Sequence, residues 1–85
     1  MQTEINQKDA QGRRHGHWEL HHENRKEKLW YKGEYVHGKP HGPWKEYRYD
    51  GSLWYKQNFD MGKRSGYSIW YDIFSSVASK QFYAN

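Results

Sequence analysis

The sequence predicts an all-β fold, a single antiparallel meander sheet built from three tandem β-hairpins. Three features lead there. Short segments bracketed by glycine recur at near-regular spacing, which marks a repeat architecture. The runs between them are rich in Trp, Tyr and Phe, residues that fit a pleated, half-buried surface. No stretch carries the 3.6-residue apolar periodicity of a helix.

From the N-terminus, Met1 to Gln11 is polar, with Ile5 its only aliphatic residue larger than Ala10. It reads as a flexible lead-in, and neither a signal peptide nor a membrane span can be placed there. The repeat domain follows as units 12–37, 38–61 and 62–85. Gly12-Arg13-Arg14-His15-Gly16, Gly38-Lys39-Pro40-His41-Gly42 and Gly62-Lys63-Arg64-Ser65-Gly66 share one form: glycine, a base, two variable positions, glycine.

Trp18 matches Trp44, and Leu29 to Tyr35 matches Leu53 to Phe59. The first unit therefore carries two extra residues within Glu23 to Lys28, where a hairpin turn tolerates insertion. The third unit aligns without gaps but is degenerate, with Ser68 and Ala78 at the Trp44 and Trp54 positions, as terminal repeats often are. Strands are clearest in the middle unit, where Trp44 to Tyr49 and Leu53 to Phe59 flank Asp50-Gly51. Both turn residues tolerate positive φ, so a two-residue hairpin turn is expected there. The Gly-base-x-x-Gly segments are expected to be loops joining one hairpin to the next, giving six strands.

At these residues the chain resembles MORN repeats, and more closely the bacterial variant found in proteins described as toxin–antitoxin antitoxins. Tyr31-Lys32-Gly33-Glu34-Tyr35 followed by Gly38-Lys39-Pro40-His41-Gly42 is similar to the MORN pattern of Tyr-x-Gly-x-aromatic and Gly-Lys-x-x-Gly. Gly42-Pro43-Trp44-Lys45-Glu46-Tyr47 resembles the opening of the bacterial variant. The resemblance spans roughly residues 12–85 and fades in the third unit, and the Gly33 position becomes Gln57 and then Gln81. It implies an elongated sheet of hairpins used in protein binding, sometimes in lipid association, with no catalytic residues to carry over.

At 85 residues the chain is expected to be one domain near the lower size limit for a single apolar core. Eight Tyr, five Trp and three Phe must supply most of that core. The absence of cysteine removes thiolate chemistry and sulfur-ligated zinc, and it fits a reducing, cytoplasmic setting. Lys and Arg exceed Asp and Glu by 14 to 10, giving a net charge of +4 that favours acidic partners.

Because side chains alternate across a strand, the faces can be sorted. One face collects Trp18, Leu20, Tyr31, Tyr35, Trp44, Tyr55, Phe59 and Trp70, joined by Phe74, Val77 and Tyr83, and is the expected core. The other collects Lys45, Tyr47, Tyr49, Trp54, Lys56 and Asn58, joined by Trp30 and Lys32 on one side and Lys80 and Phe82 on the other. Lys32, Lys56 and Lys80 are expected to line up across the sheet, with Trp30 and Trp54 beside them.

Ammonium groups that neutralise phosphates and rings that stack on bases suit RNA. Arg13, Arg14, Lys39, Lys63 and Arg64 would widen the basic track. A protein partner such as a toxin or effector enzyme would use the same rings as anchors. One open sheet also leaves two free edges, so a homodimer is expected.

Catalysis is not expected. The six histidines lack the convergent spacing of a zinc site, and Ser75-Ser76 aligns with the Asp50-Gly51 turn. Gly38 to Gly42 lacks the Lys-Ser/Thr and helix of a phosphate loop. We therefore expect a non-enzymatic binding module with no metal, no cofactor and no membrane insertion.

Overall fold

A computed structural model describes residues 5–22 and 25–84, the side chains of 25–27 excepted. Every element is a strand: β1 (Gln7–Lys8), β2 (Arg14–His22), β3 (Arg25–Val36), β4 (Lys39–Tyr47), β5 (Leu53–Asp60), β6 (Lys63–Tyr71) and β7 (Val77–Tyr83). Each pairs antiparallel with its neighbours in sequence, in the order β1 to β7. The all-β meander is as expected, with one strand more. The additional strand comes from the lead-in, where Gln7 pairs with His15 and Lys8 with Arg14. The insertion expected within Glu23 to Lys28 lies partly outside the described residues, since 23–24 are among those not described.

Two kinds of turn alternate. His37-Gly38 joins β3 to β4 and Met61-Gly62 joins β5 to β6, with positive φ at both residues of each pair. That is the mirror-image two-residue turn whose twist matches the strands it joins. The Gly-base-x-x-Gly segments of units two and three are therefore not loops: the first glycine completes a tight turn and the base begins a strand.

Asp50-Gly51, expected to be the tight turn, lies instead in a five-residue loop. Arg48 N donates to Ser52 O at 2.8 Å and Gly51 N to Arg48 O at 2.9 Å. Asp50 Oδ1 accepts from Ser52 N and Oγ, which fixes this wider closure. Asp72–Ser76 and Asp9–Arg13 close with the same pair of backbone bonds.

Successive units are tied at the tight turns. Gly38 N donates to Arg14 O and Gly62 N to Pro40 O, both at 2.7 Å. His37 N donates to His15 Nδ1 and Met61 N to His41 Nδ1, both at 3.1 Å. The repeated histidines thus satisfy turn donors of the next hairpin, which would otherwise need water.

The core lies on one face and is made of rings. Tyr31, Trp44 and Tyr55 form a buried cluster, flanked by Leu20, Tyr35, Phe59 and Trp70. Tyr31 stacks on Trp44 with centroids 4.8 Å apart, while Tyr35 and Phe59 meet Trp44 edge-on. Both are favoured arrangements for ring quadrupoles. Burial, and then the hydrogen bond with Tyr35, push the Tyr31 phenol up to about 12.

Two residues sorted onto the core face are not in it. Phe74 is 82% exposed and Val77 56%. Phe74 stands in the Asp72–Ser76 loop, and Val77 lies where a bulge opens β7 at the sheet edge.

One bulge recurs at a fixed repeat position. Leu20 pairs with Tyr31 but His21 with Leu29; Glu46 pairs with Tyr55 but Tyr47 with Leu53; Trp70 pairs with Ser79 but Tyr71 with Val77. Trp30, Trp54 and Ala78 are the extra residues. A second bulge sets residues 41–43 against Glu34 and 66–68 against Gln57.

Candidate anion-binding face

The face opposite the ring core carries one continuous cross-strand row. Glu19 pairs with Lys32, Lys32 with Lys45, Lys45 with Lys56, Lys56 with Ile69 and Ile69 with Lys80. Lys32, Lys56 and Lys80 thus fall in one line, and Lys45 completes it. Neighbouring strands lie roughly 4.8 Å apart, so Lys32, Lys45 and Lys56 form an uninterrupted run of like charge. Directly opposed like charges destabilise a sheet. The row concentrates positive charge along one line of this face.

Two hollows flank the row. The larger, of about 280 Å³, is lined by Pro43, Lys45, Lys56, Asn58, Tyr67 and Ile69, with Trp44 and Gln57 also contributing. The smaller, of about 160 Å³, is lined by His17, Lys32, Gly33, Glu34, Pro43 and Lys45. They meet at Pro43 and Lys45. His17, Pro43 and Tyr67 each follow the second glycine of their unit, so one repeat position supplies a side chain to this surface three times.

The two ends of the surface differ in charge. At the β2 end, His17 Nε2 meets Glu19 Oε2 at 2.8 Å and its Nδ1 meets Glu34. The hydrogen bond with Glu34, with Glu19 adding to it, raises the His17 pKa above the ordinary histidine value. At the β7 end, Lys80 Nζ lies 4.3 Å from the Tyr67 ring centroid and Phe82 meets Tyr67 edge-on at 5.0 Å.

The remaining expected site residues are not gathered here. Trp30 and Trp54 were expected beside the lysines, but they are the extra residues of bulges and line neither hollow. The inserted residue breaks the strict alternation on which their placement depended. Tyr47 pairs with Leu53 at the same end of the sheet.

Arg14 belongs to the ring face: its guanidinium lies 4.5 Å from the Trp18 ring and donates to the Tyr31 hydroxyl at 2.8 Å. Arg64 covers Tyr83 in the same way. Arg13 is bound to Asp9 at 2.9 Å. Lys39 and Lys63 are exposed at the starts of β4 and β6, away from the row.

Sequence reasoning missed Tyr67 and Ile69 as site residues, whereas Asn58, sorted onto the lysine face, lines the larger hollow. Tyr67 was discoverable from its repeat position after Gly66, although its equivalents are a proline and a histidine. Among the described residues, no cluster of three or more metal-ligating side chains occurs, and no helix is long and apolar enough to cross a membrane.

Comparison with known proteins finds no matching family model, no matching curated protein and no matching solved structure.

Proposed function

We propose that this chain is a non-enzymatic, MORN-like binding module of the cytoplasm whose lysine-lined face takes single-stranded RNA. One observation carries the reading: Lys32, Lys45 and Lys56 are direct cross-strand neighbours, with Lys80 two strands beyond Lys56. Phosphates lying along the row would relieve its repulsion. Bases turned toward the larger hollow would meet the half-exposed ring of Tyr67, and each such stack is worth about 1–3 kcal/mol. In this role the protein would counteract a toxin or ribonuclease by occupying the RNA.

The test is filter retention of a single-stranded oligoribonucleotide at several salt concentrations. Affinity should fall with salt with a log–log slope of about −0.7 for each phosphate contact. The Lys32→Glu/Lys56→Glu variant should lose retention while keeping its circular dichroism. Unchanged retention in the folded variant would refute the proposal.

A second reading, direct binding and inhibition of a toxin or effector protein, rests on a different observation. Trp30, Tyr49, Trp54, Ile73, Phe74 and Val77 are all large, exposed side chains, and all stand at the end of the sheet that carries the long loops. Exposed rings at one end are the usual anchors of a protein interface. Such binding would be nearly insensitive to salt and to the lysine substitutions.

A further inference from the structure

The two edges of the sheet are built differently. At the β2 edge the chain covers its own strand. Asn6 N donates to His17 O at 2.8 Å, Asn6 Nδ2 donates to Glu19 O at 3.1 Å, and Glu19 N donates to Asn6 Oδ1 at 2.9 Å. The amide of one asparagine thus stands in for a strand residue, and Trp18 Nε1 ties the adjoining Gln7 O at 2.9 Å.

Among the described residues, no strand pairs with the outer side of β7. A seven-residue edge strand is normally blunted by proline or by projecting charge. This one has no proline and a single charged residue, Lys80. That lysine is drawn inward over the Tyr67 ring on β6, while Val77 and Phe82 remain more than half exposed.

We propose that the chain forms a two-fold homodimer by antiparallel pairing of β7 with β7 of a second copy. Head-to-tail stacking would require the β2 edge, which Asn6 and β1 cover from Arg14 to Glu19, so the self-complementary contact offers the longer open edge. Antiparallel edge pairing puts the two-fold axis perpendicular to the sheet. Both lysine rows then lie on the same face, and the cationic track runs on from one copy into the next. A single edge contact is small, so association in the micromolar range is expected.

Sedimentation from low to high micromolar concentration tests this. The wild-type chain should move from monomer to dimer. Ser79→Lys/Gln81→Lys should weaken dimerisation by about tenfold or more through like charges across the axis, and Ser79→Glu/Gln81→Glu should do the same. An equimolar mixture of the two variants, each folded by circular dichroism, should recover a mixed dimer. Deleting residues 1–8 should free the β2 edge and give species larger than a dimer. Wild-type protein that stays monomeric throughout, or variants that remain monomeric when mixed, would overturn the proposal.

Discussion

Gly33 and Trp44 face each other across β3 and β4, and the indole occupies the space a side chain at Gly33 would need. A Cβ built at Gly33 would overlap Trp44 Cε3 and stand 2.7 Å from Cζ3. At the equivalent place in the next unit, Gln57 replaces the glycine and Ser68 replaces the tryptophan. Ser68 Oγ donates to Gln57 Oε1, and both side chains are buried. Across the strands that join one unit to the next the glycine and the ring therefore change together, although Trp44 also pairs with Gln57 on its other side.

Gly33→Ala should cost about 1–3 kcal/mol by overpacking. Because the clash is specific to the indole, combining it with Trp44→Ser should cost less than the two single changes summed. Urea denaturation of the four proteins in a double-mutant cycle measures that coupling.

Ser75 has φ 65 at the position Gly51 fills, with φ 93, in the preceding unit. A non-glycine residue in the left-handed region costs roughly 1–2 kcal/mol, offset in part by the freedom glycine brings to the unfolded chain. Ser75→Gly should raise stability by about 0.5–1 kcal/mol, and Gly51→Ser should lower it by a similar amount. The thermal midpoint of each variant reports the sign.

Much of this fold could be read from the sequence, and the part that could not has a common cause. Glycine punctuation fixes the hairpins, and a constant spacing puts Lys32, Lys56 and Lys80 in one line, since the bulge at Trp30, Trp54 and Ala78 recurs at the same place in each hairpin. What spacing cannot convey is that a bulge occurs at all. Trp30 and Trp54 therefore become bulge residues that line neither hollow, and Tyr67 reaches the larger hollow from within the bulge opposite Gln57. The lead-in was equally opaque, because Asn6 acts through side-chain amide bonds to Glu19 that no periodicity signals.

His17 and Asp9, both near the β2 edge, give two pH dependences of opposite sense. His17, held between Glu34 and Glu19, has a folded pKa above its unfolded one. Its contribution to stability is complete below about pH 6.5 and is lost as pH rises through the raised value.

Asp9 behaves in the other direction. Hydrogen bonds from His37 first, then from the backbone of Arg13 and Gln11, hold its carboxyl well below the usual carboxylate range. That contribution is present above about pH 4 and fades as pH falls toward the lowered value. Amide exchange in β2 as a function of pH should show both limbs, and His17→Gln should remove only the upper one.

Lys45 sits between two lysines, so the fold and the binding face make opposing demands on it. Lys45→Met should stabilise the free protein by about 0.5 kcal/mol through relief of repulsion while weakening RNA retention. Denaturation and retention measured on the same preparation would expose the opposition, and a loss of both would show that the lysine serves the fold.

Titrating isotopically labelled protein with a single-stranded oligoribonucleotide, and following its amide resonances, tests the central claim most directly. The account predicts that the largest shifts fall on Lys32, Lys45, Lys56, Asn58 and Tyr67 and diminish as salt is raised. Shifts confined to Trp30, Tyr49, Trp54 and Phe74, or none at saturating RNA, would contradict it.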